Sequence, residues 1–416
     1  MTTSGHVAPD SSSAPPVGLP GGLTLRTARP GDLAQIGDLL AERGEPADSL
    51  DHRLVVEDPD LGWDACAVVV DGDRVVSTAT LLDETLRLGE VVLPAGQVEL
   101  VATDVAYEGR GLVRALMGWA HERSAARGQV LQVMIGIPYF YRLFGYEYAI
   151  DIPRARELTG PAVDPTGPRL RRATAADVPA LAAQQEAAQR TADVAMPHPA
   201  ARWRWLLEHD ASTTWVVERD DEVVASARTG PPDDGVLVAE AAAVDPAAAD
   251  LLLAALIGEL GPQLTVVHRP GTVVGATWEQ RLGPAGTDAQ QYYVRLPRPE
   301  VALDLLRPVL SARLAASGLD RVGRDVVIST FGRHYRLPVT DAGLGPVVVG
   351  GPLQGPGSVG GAGVAPDHLA ALLFGPHGID GLTQRRPDVY PGPDGELFTA
   401  LFPPLTADLL TYYLPW

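Results

Sequence analysis

A stretch near the start of the chain comes back 145 residues later. Leu25-Arg26-Thr27-Ala28-Arg29-Pro30-Gly31-Asp32-Leu33 can be laid over Leu170-Arg171-Arg172-Ala173-Thr174-Ala175-Ala176-Asp177-Val178. Leu, Arg, Ala and Asp match, and an apolar residue follows each Asp. Both copies read as a short strand running into a helix, with Asp32 and Asp177 where a carboxylate can cap or charge-stabilise the helix start. The pattern downstream of each copy recurs too. In the first, residues 65–70 and 74–82 flank Asp71-Gly72-Asp73, a hairpin signal. An extended stretch (98–105), a helix pattern (112–127) and a strand (130–137) come next. In the second, residues 213–218 and 223–229 flank Asp220-Asp221, with extended 236–244, helical 247–260 and a strand at 264–268 after them. A fixed self-similarity of this length means one α/β unit used twice.

The repeat sets the expected boundaries. Residues 1–22 are rich in Ser, Pro and Gly without apolar periodicity and read as a disordered arm, with order beginning at Leu23. The first unit spans 23–160 and the second 165–298, joined through 161–168, which holds three Pro and one Gly. A third region, 299–416, opens with an amphipathic helix at 301–315. Short strands follow at 325–330 and 335–339. Residues 350–363 are dominated by glycine but lack the Lys-Ser/Thr ending of a phosphate loop, so they read as a flexible surface loop. Helices are expected at 367–373 and 406–413. The fold class is α/β (α+β), with mixed, mostly antiparallel sheets.

Charge narrows the partners. The formal net charge of −19 argues against a phosphate backbone as ligand, hence no nucleic acid, and favours cationic partners. Trp203 and Trp205 interleave with Arg202 and Arg204, and the acidic background makes them a helix with a buried ring face rather than a base-stacking surface. All 33 basic residues are arginine; codon bias explains this, and a chain without lysine also offers no side-chain amine for its own chemistry to modify. The single cysteine, Cys66, excludes an internal disulfide framework and points to a reducing compartment. No apolar run approaches the roughly 20 residues of a bilayer span, and no secretory leader opens the chain. A cytoplasmic protein without a membrane partner is expected. The nine histidines form no His-x-x-x-His pair and no Cys/His cluster, so no metal site is expected.

Chemistry concentrates between residues 101 and 148. Val101-Ala102-Thr103-Asp104-Val105 ends a strand, and Tyr107-Glu108-Gly109-Arg110-Gly111-Leu112-Val113-Arg114 turns into a helix. The first helical N–H groups lack intrahelical acceptors and the dipole makes that end electropositive. Glycines at 109 and 111 let backbone amides close on an anion, which is a pyrophosphate-binding geometry, and Arg110 and Arg114 add charge. On these residues the chain resembles the GNAT acetyltransferases, whose acetyl-CoA loop follows Gln/Arg-x-x-Gly-x-Gly/Ala. Glu108 stands here for Gln/Arg, and Val113 for Gly/Ala. A second block, Tyr141-Arg142-Leu143-Phe144-Gly145-Tyr146, resembles the Tyr-x-x-Phe-Gly-Tyr of the enhanced-intracellular-survival branch of that superfamily.

The resemblance implies an active GNAT domain (23–160), a degenerate one (165–298) and a domain like a sterol carrier protein (299–416). In the second copy, residues 245–250 (Asp-Pro-Ala-Ala-Ala-Asp) stand against 108–113, without glycine, and Pro246 removes a donor. One acetyl-CoA per chain is therefore expected, as co-substrate. The resemblance places Tyr141 beside the cofactor sulfur as acid and assigns the base to the terminal carboxylate, here that of Trp416. Glu99 is the alternative base. Cofactor contacts are expected from Val101, Ala102, Thr103, Gly109, Arg110, Gly111, Leu112, Val113, Arg114, Gly136 and Ile137, the backbone of 101–103 supplying oxyanion donors. Tyr139, Tyr146 and Tyr148 are assigned to packing. The expected reaction is acetyl transfer to a small-molecule primary amine, polycationic in character, by a homo-oligomer (trimer or hexamer). The alternative is a non-catalytic acyl-CoA or small-molecule binding protein.

Overall fold

The computed structural model describes residues 15–160, 170–230, 235–287 and 290–409. These fall into two compact bodies, one formed by residues up to Asp83 with Val98–Ala126, the other by Glu84–Gln97 with everything from Arg127 onward. The long strands Arg74–Leu88 and Val91–Thr103 have residues in both.

In the first body, strands Val17–Gly18, Thr24–Thr27, Cys66–Asp71 and Arg74–Leu88 pair antiparallel in succession. The expected hairpin forms at Asp71-Gly72-Asp73, with Asp71 opposite Arg74. Helix Leu112–Ala126 sets Leu112 and Leu116, one turn apart on the same face, into a core with Leu25, Val69, Val76 and Ala79. Cys66 lies fully buried with His52 Nε2 3.3 Å from its Sγ. Burial pushes the His52 imidazole down to about 4 and the Cys66 thiol up to about 11, so the pair stays neutral and serves as core. Of the arm expected at 1–22, residues 1–14 lie outside the described residues, and the rest contains a strand. Val17 and Gly18 pair with Leu25 and Thr24, and Leu19 N–H donates to the Leu23 carbonyl at 2.7 Å. The open edge of Thr24–Thr27 offers unpaired amides, and the preceding chain satisfies them.

In the second body, Ala95–Gln97 pairs parallel with Leu131–Val133. Strand Gln291–Arg295 then lies antiparallel between Leu131–Met134 and Glu147–Asp151. A second sheet runs in the order Ala155–Glu157, Leu264–Val267, Val236–Ala243, Glu222–Thr229, Thr213–Arg219, Arg171–Arg172. Two strands therefore cross the boundary drawn from the sequence repeat. Ala155–Glu157 precedes it yet joins the second sheet, while Gln291–Arg295 follows it yet completes the first. A third sheet orders Gly343–Leu344, His334–Thr340, Asp325–Ser329, Ala362–Val364, Val389–Tyr390. The architecture is mixed α/β with mostly antiparallel pairing, as the sequence implied. No helix of the described residues is long and apolar enough to cross a membrane.

The repeat is visible as matching ion pairs. Arg26 grips Asp32 through two hydrogen bonds (2.7 and 2.9 Å), and Asp32 also accepts from Arg29 N–H at 2.8 Å. Arg171 grips Asp177 in the same way (2.8 Å twice), and Thr174 N–H donates to Asp177 at 2.7 Å. Burial alone would raise the Asp32 carboxyl, but Arg26 and the Arg29 amide outweigh it and hold it below the usual range.

Four local expectations fail. The helix expected at 301–315 is two helices, Pro299–Leu305 and Arg307–Ser317. Pro308 has no N–H to donate and its ring crowds the carbonyl four residues back. Residues 350–363 are not a flexible loop throughout: they run into strand Ala362–Val364, and Gly350, Gly361 and Gly363 are closely packed. A Cβ at Gly350 would lie 2.0 Å from the His334 ring and one at Gly363 2.4 Å from the Tyr390 ring. The helix expected at 406–413 begins instead as strand Ala407–Asp408, parallel to Val194–Ala195; residues 410–416, Trp416 among them, lie outside the described residues. Helix Ala200–Glu208 buries both Trp203 and Trp205, where one buried ring face was expected, and Arg202 beside them is buried against Glu84.

Candidate active site

The glycine turn sits where the sequence placed it. Strand Val91–Thr103 ends, Asp104 N–H donates to the Val76 carbonyl at 2.9 Å, and a short turn, Val105–Tyr107, comes after it. Asp104 caps that turn by accepting from Ala106 N–H at 2.8 Å. Gly109 and Gly111 take φ of +72° and +78°, and helix Leu112–Ala126 starts directly after. Two left-handed residues within three positions are free of strain only as glycine. Successive amides in such a turn face one concavity, which suits an anion. A Cβ built on either glycine meets no atom within 4 Å, so the space in front of the turn is open. The first intrahelical bond runs from Ala115 N–H to Gly111 O at 3.2 Å, which leaves the amides of Leu112 and Val113 without helical acceptors. The residues present therefore fit a diphosphate.

Glu108, whose charge would repel a diphosphate, is neutralised within the same body. Arg43 donates to its carboxylate at 2.5 Å. Arg110 is folded back, donating to the Ala106 carbonyl at 2.9 Å with its guanidinium 4.5 Å from the Tyr107 ring centre. Arg114 is exposed on the first helical turn. Of the expected oxyanion segment, Ala102 is buried and Val101 and Thr103 are half-buried. Ser77 Oγ donates to the Ala102 carbonyl at 2.9 Å and lies 2.7 Å from Thr103 Oγ1. Leu100 just before them has φ +51°, a left-handed leucine inside a strand. Glu99 is buried, with 6% of its surface exposed.

In the second body, Tyr141 lies in a short 3₁₀ helix, Phe140–Phe144, and is 6% exposed. Its ring rests on Gly136: a Cβ there would come within 2.3 Å of it. Tyr146 is fully buried with its hydroxyl donating to Gln132 at 2.7 Å, and burial pushes its phenol up. Packing is the right assignment for Tyr146. It is incomplete for Tyr139 and Tyr148, which are exposed and share a hydroxyl network with Tyr293. Ile137 is 65% exposed. Sequence reasoning missed Tyr293; its only signal was the aromatic pair Tyr292-Tyr293 in an extended stretch far along the chain.

The last described residues are paired. Asp408 pairs with Arg269 at 2.7 Å, and the Tyr292 hydroxyl donates to the Leu409 carbonyl, Leu409 being fully buried. The side chains of Asp367, His368 and Asp388 bring three ligand-type atoms within 4.8 Å, a grouping the sequence did not suggest. His368 lies 3.5 Å from Asp388, and Asp367 3.9 Å from Arg142.

The second copy builds its junction differently. Val244 N–H donates to the Val224 carbonyl at 2.9 Å, so Val244 is the counterpart of Asp104. Helix Pro246–Leu260 then begins after a single residue, Asp245. The stretch 245–250 is therefore not the altered counterpart of 108–113; the loop is missing. Asp245 accepts from Ala248 N–H at 2.7 Å and from Arg219 at 2.8 Å, so a carboxylate of the chain occupies the helix start.

Residues 24–149 match the acetyltransferase (GNAT) domain family. Over the whole length the fold is similar to that of a GCN5-related N-acetyltransferase from Kribbella flavida, with 19% identity and a TM-score of 0.62, covering 94% of this chain and 100% of that one. A GCN5-related N-acetyltransferase from Anabaena variabilis gives 14% identity and 0.66, and Eis1 from Mycobacterium abscessus 18% and 0.61, each with the same coverage. No curated protein sequence matches the chain.

Proposed function

We propose that this acyltransferase, whose GNAT domain occupies residues 24–149, moves acetyl from acetyl-CoA to a primary amine by direct attack in a ternary complex. The observation that carries the reading is the open, doubly left-handed glycine turn at the mouth of helix Leu112–Ala126. Its amides would take the diphosphate, with Arg110 and Arg114 adding charge and Gly136 and Ile137 bordering the pantetheine arm. The net charge of −19 favours polycationic acceptors, aminoglycoside- or lysine-like.

An alkylammonium of pKa about 10.4 must lose a proton before its nitrogen can attack. The carboxylate of Trp416 takes that proton; Glu99, buried on its strand, is the alternative base. The nitrogen adds to the thioester carbonyl and the backbone of Val101–Thr103 stabilises the oxyanion. The C–S bond then breaks and Tyr141 gives its phenolic proton to the departing sulfur. We read residues 165–298 as a GNAT copy without a cofactor site and 299–416 as a sterol carrier-like domain, in a cytoplasmic trimer or hexamer.

Thiol release from acetyl-CoA, measured with a panel of polyamines and aminoglycosides, tests the reading. Turnover is expected with several of them. Tight acetyl-CoA binding without release by any amine would make the chain a binding protein. Three residues appended after Trp416 should abolish turnover and leave acetyl-CoA affinity intact; surviving activity would move the base to Glu99.

A further inference from the structure

The tyrosines on strands Glu147–Asp151 and Gln291–Arg295 form a closed network with the turn that precedes Tyr141. Tyr293 Oη lies 3.2 Å from the Ile137 carbonyl and 2.6 Å from Tyr148 Oη. Tyr148 Oη in turn accepts from Tyr139 N–H at 3.3 Å. A hydroxyl has one proton, and a carbonyl can only accept. Tyr293 therefore shares its proton between Tyr148 Oη, the shorter contact, and the Ile137 carbonyl. The two hydroxyls bridge a backbone carbonyl and a backbone N–H two residues apart, across Pro138.

That turn is under strain and needs holding. Tyr139 has φ +68°, a left-handed conformation that costs a non-glycine residue on the order of 1 kcal/mol or more. The two rings stack with centroids 4.1 Å apart at 24°, which fixes the hydroxyls relative to each other. Tyr293 also meets Tyr141 edge-on, with centroids 6.0 Å apart at 65°. The Tyr141 ring thus has Gly136 on one side and Tyr293 on another. Burial, then the bond with Tyr148, raises the Tyr293 phenol, so it stays protonated throughout the working range.

We propose that Tyr293, with Tyr148, is a positioning residue for acetyl transfer: it locks the 136–139 turn and thereby the ring of Tyr141. The residue is supplied by a strand from the second sequence copy, which lacks the glycine loop and contributes to the first copy's chemistry in this way. The proposal rests on the reading of Tyr141 as the acid.

A double-mutant cycle on the full-length protein tests it, with kcat and the acetyl-CoA KM measured by thiol release. Tyr141→Phe should lower kcat roughly 10²-fold. Tyr293→Phe keeps the ring stack and should lower kcat about fivefold, with KM changed less than twofold, because misplacing a catalytic group costs rate rather than binding. The double variant should be no slower than Tyr141→Phe alone, since the hydroxyl matters only through that phenol. Tyr148→Phe, at a half-exposed position, should reproduce the Tyr293→Phe effect and covers the case in which Tyr293→Phe folds poorly. Multiplying effects in the double variant, or full rates in both hydroxyl variants, would overturn the proposal and leave the acid assignment standing. A full rate in Tyr141→Phe would overturn both.

Discussion

Two strand-to-helix junctions in this chain share a plan and differ in one element. Each is preceded by an Arg–Asp fork at the first helix of its copy, Arg26–Asp32 or Arg171–Asp177. Each closes its strand with the same bond at 2.9 Å, Asp104 to Val76 or Val244 to Val224. Between that bond and the helix the first copy inserts residues 105–111 and the second only Asp245. The first helix thus opens onto a glycine turn facing empty space, whereas the second is stoppered by a carboxylate that Arg219 holds. A connection shorter by six residues thus sets the chain's own carboxylate at the second helix start, where it meets the electropositive helix end.

The largest test of the contrast is Gly111→Val. A β-branched residue at φ +78° must refold the turn, and kcat/KM for acetyl-CoA should fall roughly 10³-fold with the melting temperature nearly unchanged. A wild-type KM would remove the turn from the cofactor site.

Next in size is acid sensitivity, which both copies should share. His52 is held neutral by burial, down to about 4, and His209 by burial and then by Arg228 and Arg202, down to about 3. Between pH 6.5 and these values the unfolded chain binds protons that the folded one refuses, so stability falls as pH falls through that window. His52 alone accounts for about 2 kcal/mol between pH 7 and 4.5. Urea unfolding of His52→Gln should show a shallower loss over that range; an unchanged loss would contradict the assignment.

The forks come third. Asp32→Ala should cost about 2 kcal/mol, since Arg26 is left largely buried without its partner, and Asp177→Ala about 1 kcal/mol, since Arg171 is more exposed and keeps Glu218. Equal costs in chemical denaturation would mean that the second acceptor is idle. Smallest of all, Asp245→Ala removes a cap at an exposed helix start. It should lower the melting temperature by about 1 °C and leave acetyl-CoA kinetics untouched.

The parts of this architecture legible from sequence were those encoded by neighbours. The Asp71-Gly72-Asp73 hairpin, the glycine turn and the helix after it are set by residues within a few positions of one another, and they stand where expected. Pro308 was legible too, but the apolar spacing around it drew attention away from the break it imposes. Partner choice between short strands was not legible. Nothing in Ala155–Glu157 or Gln291–Arg295 states which sheet it joins, because that depends on edges left open elsewhere in the chain. Tyr293 escaped notice for the same reason, while Tyr141 was visible through the motif around it. The residues 350–363 misled by composition: glycine there makes room for the rings of His334 and Tyr390, and composition does not distinguish such crowding from looseness.

The swap of Gln291–Arg295 into the first sheet also governs when the molecule can mature during synthesis. Until that strand leaves the ribosome, the edges of Leu131–Met134 and Glu147–Asp151 stay open to wrong partners, so nascent chains should depend on chaperones for most of translation. A gene fragment ending after the first copy would be born with this gap, and its product would be expected to aggregate rather than work as a minimal enzyme.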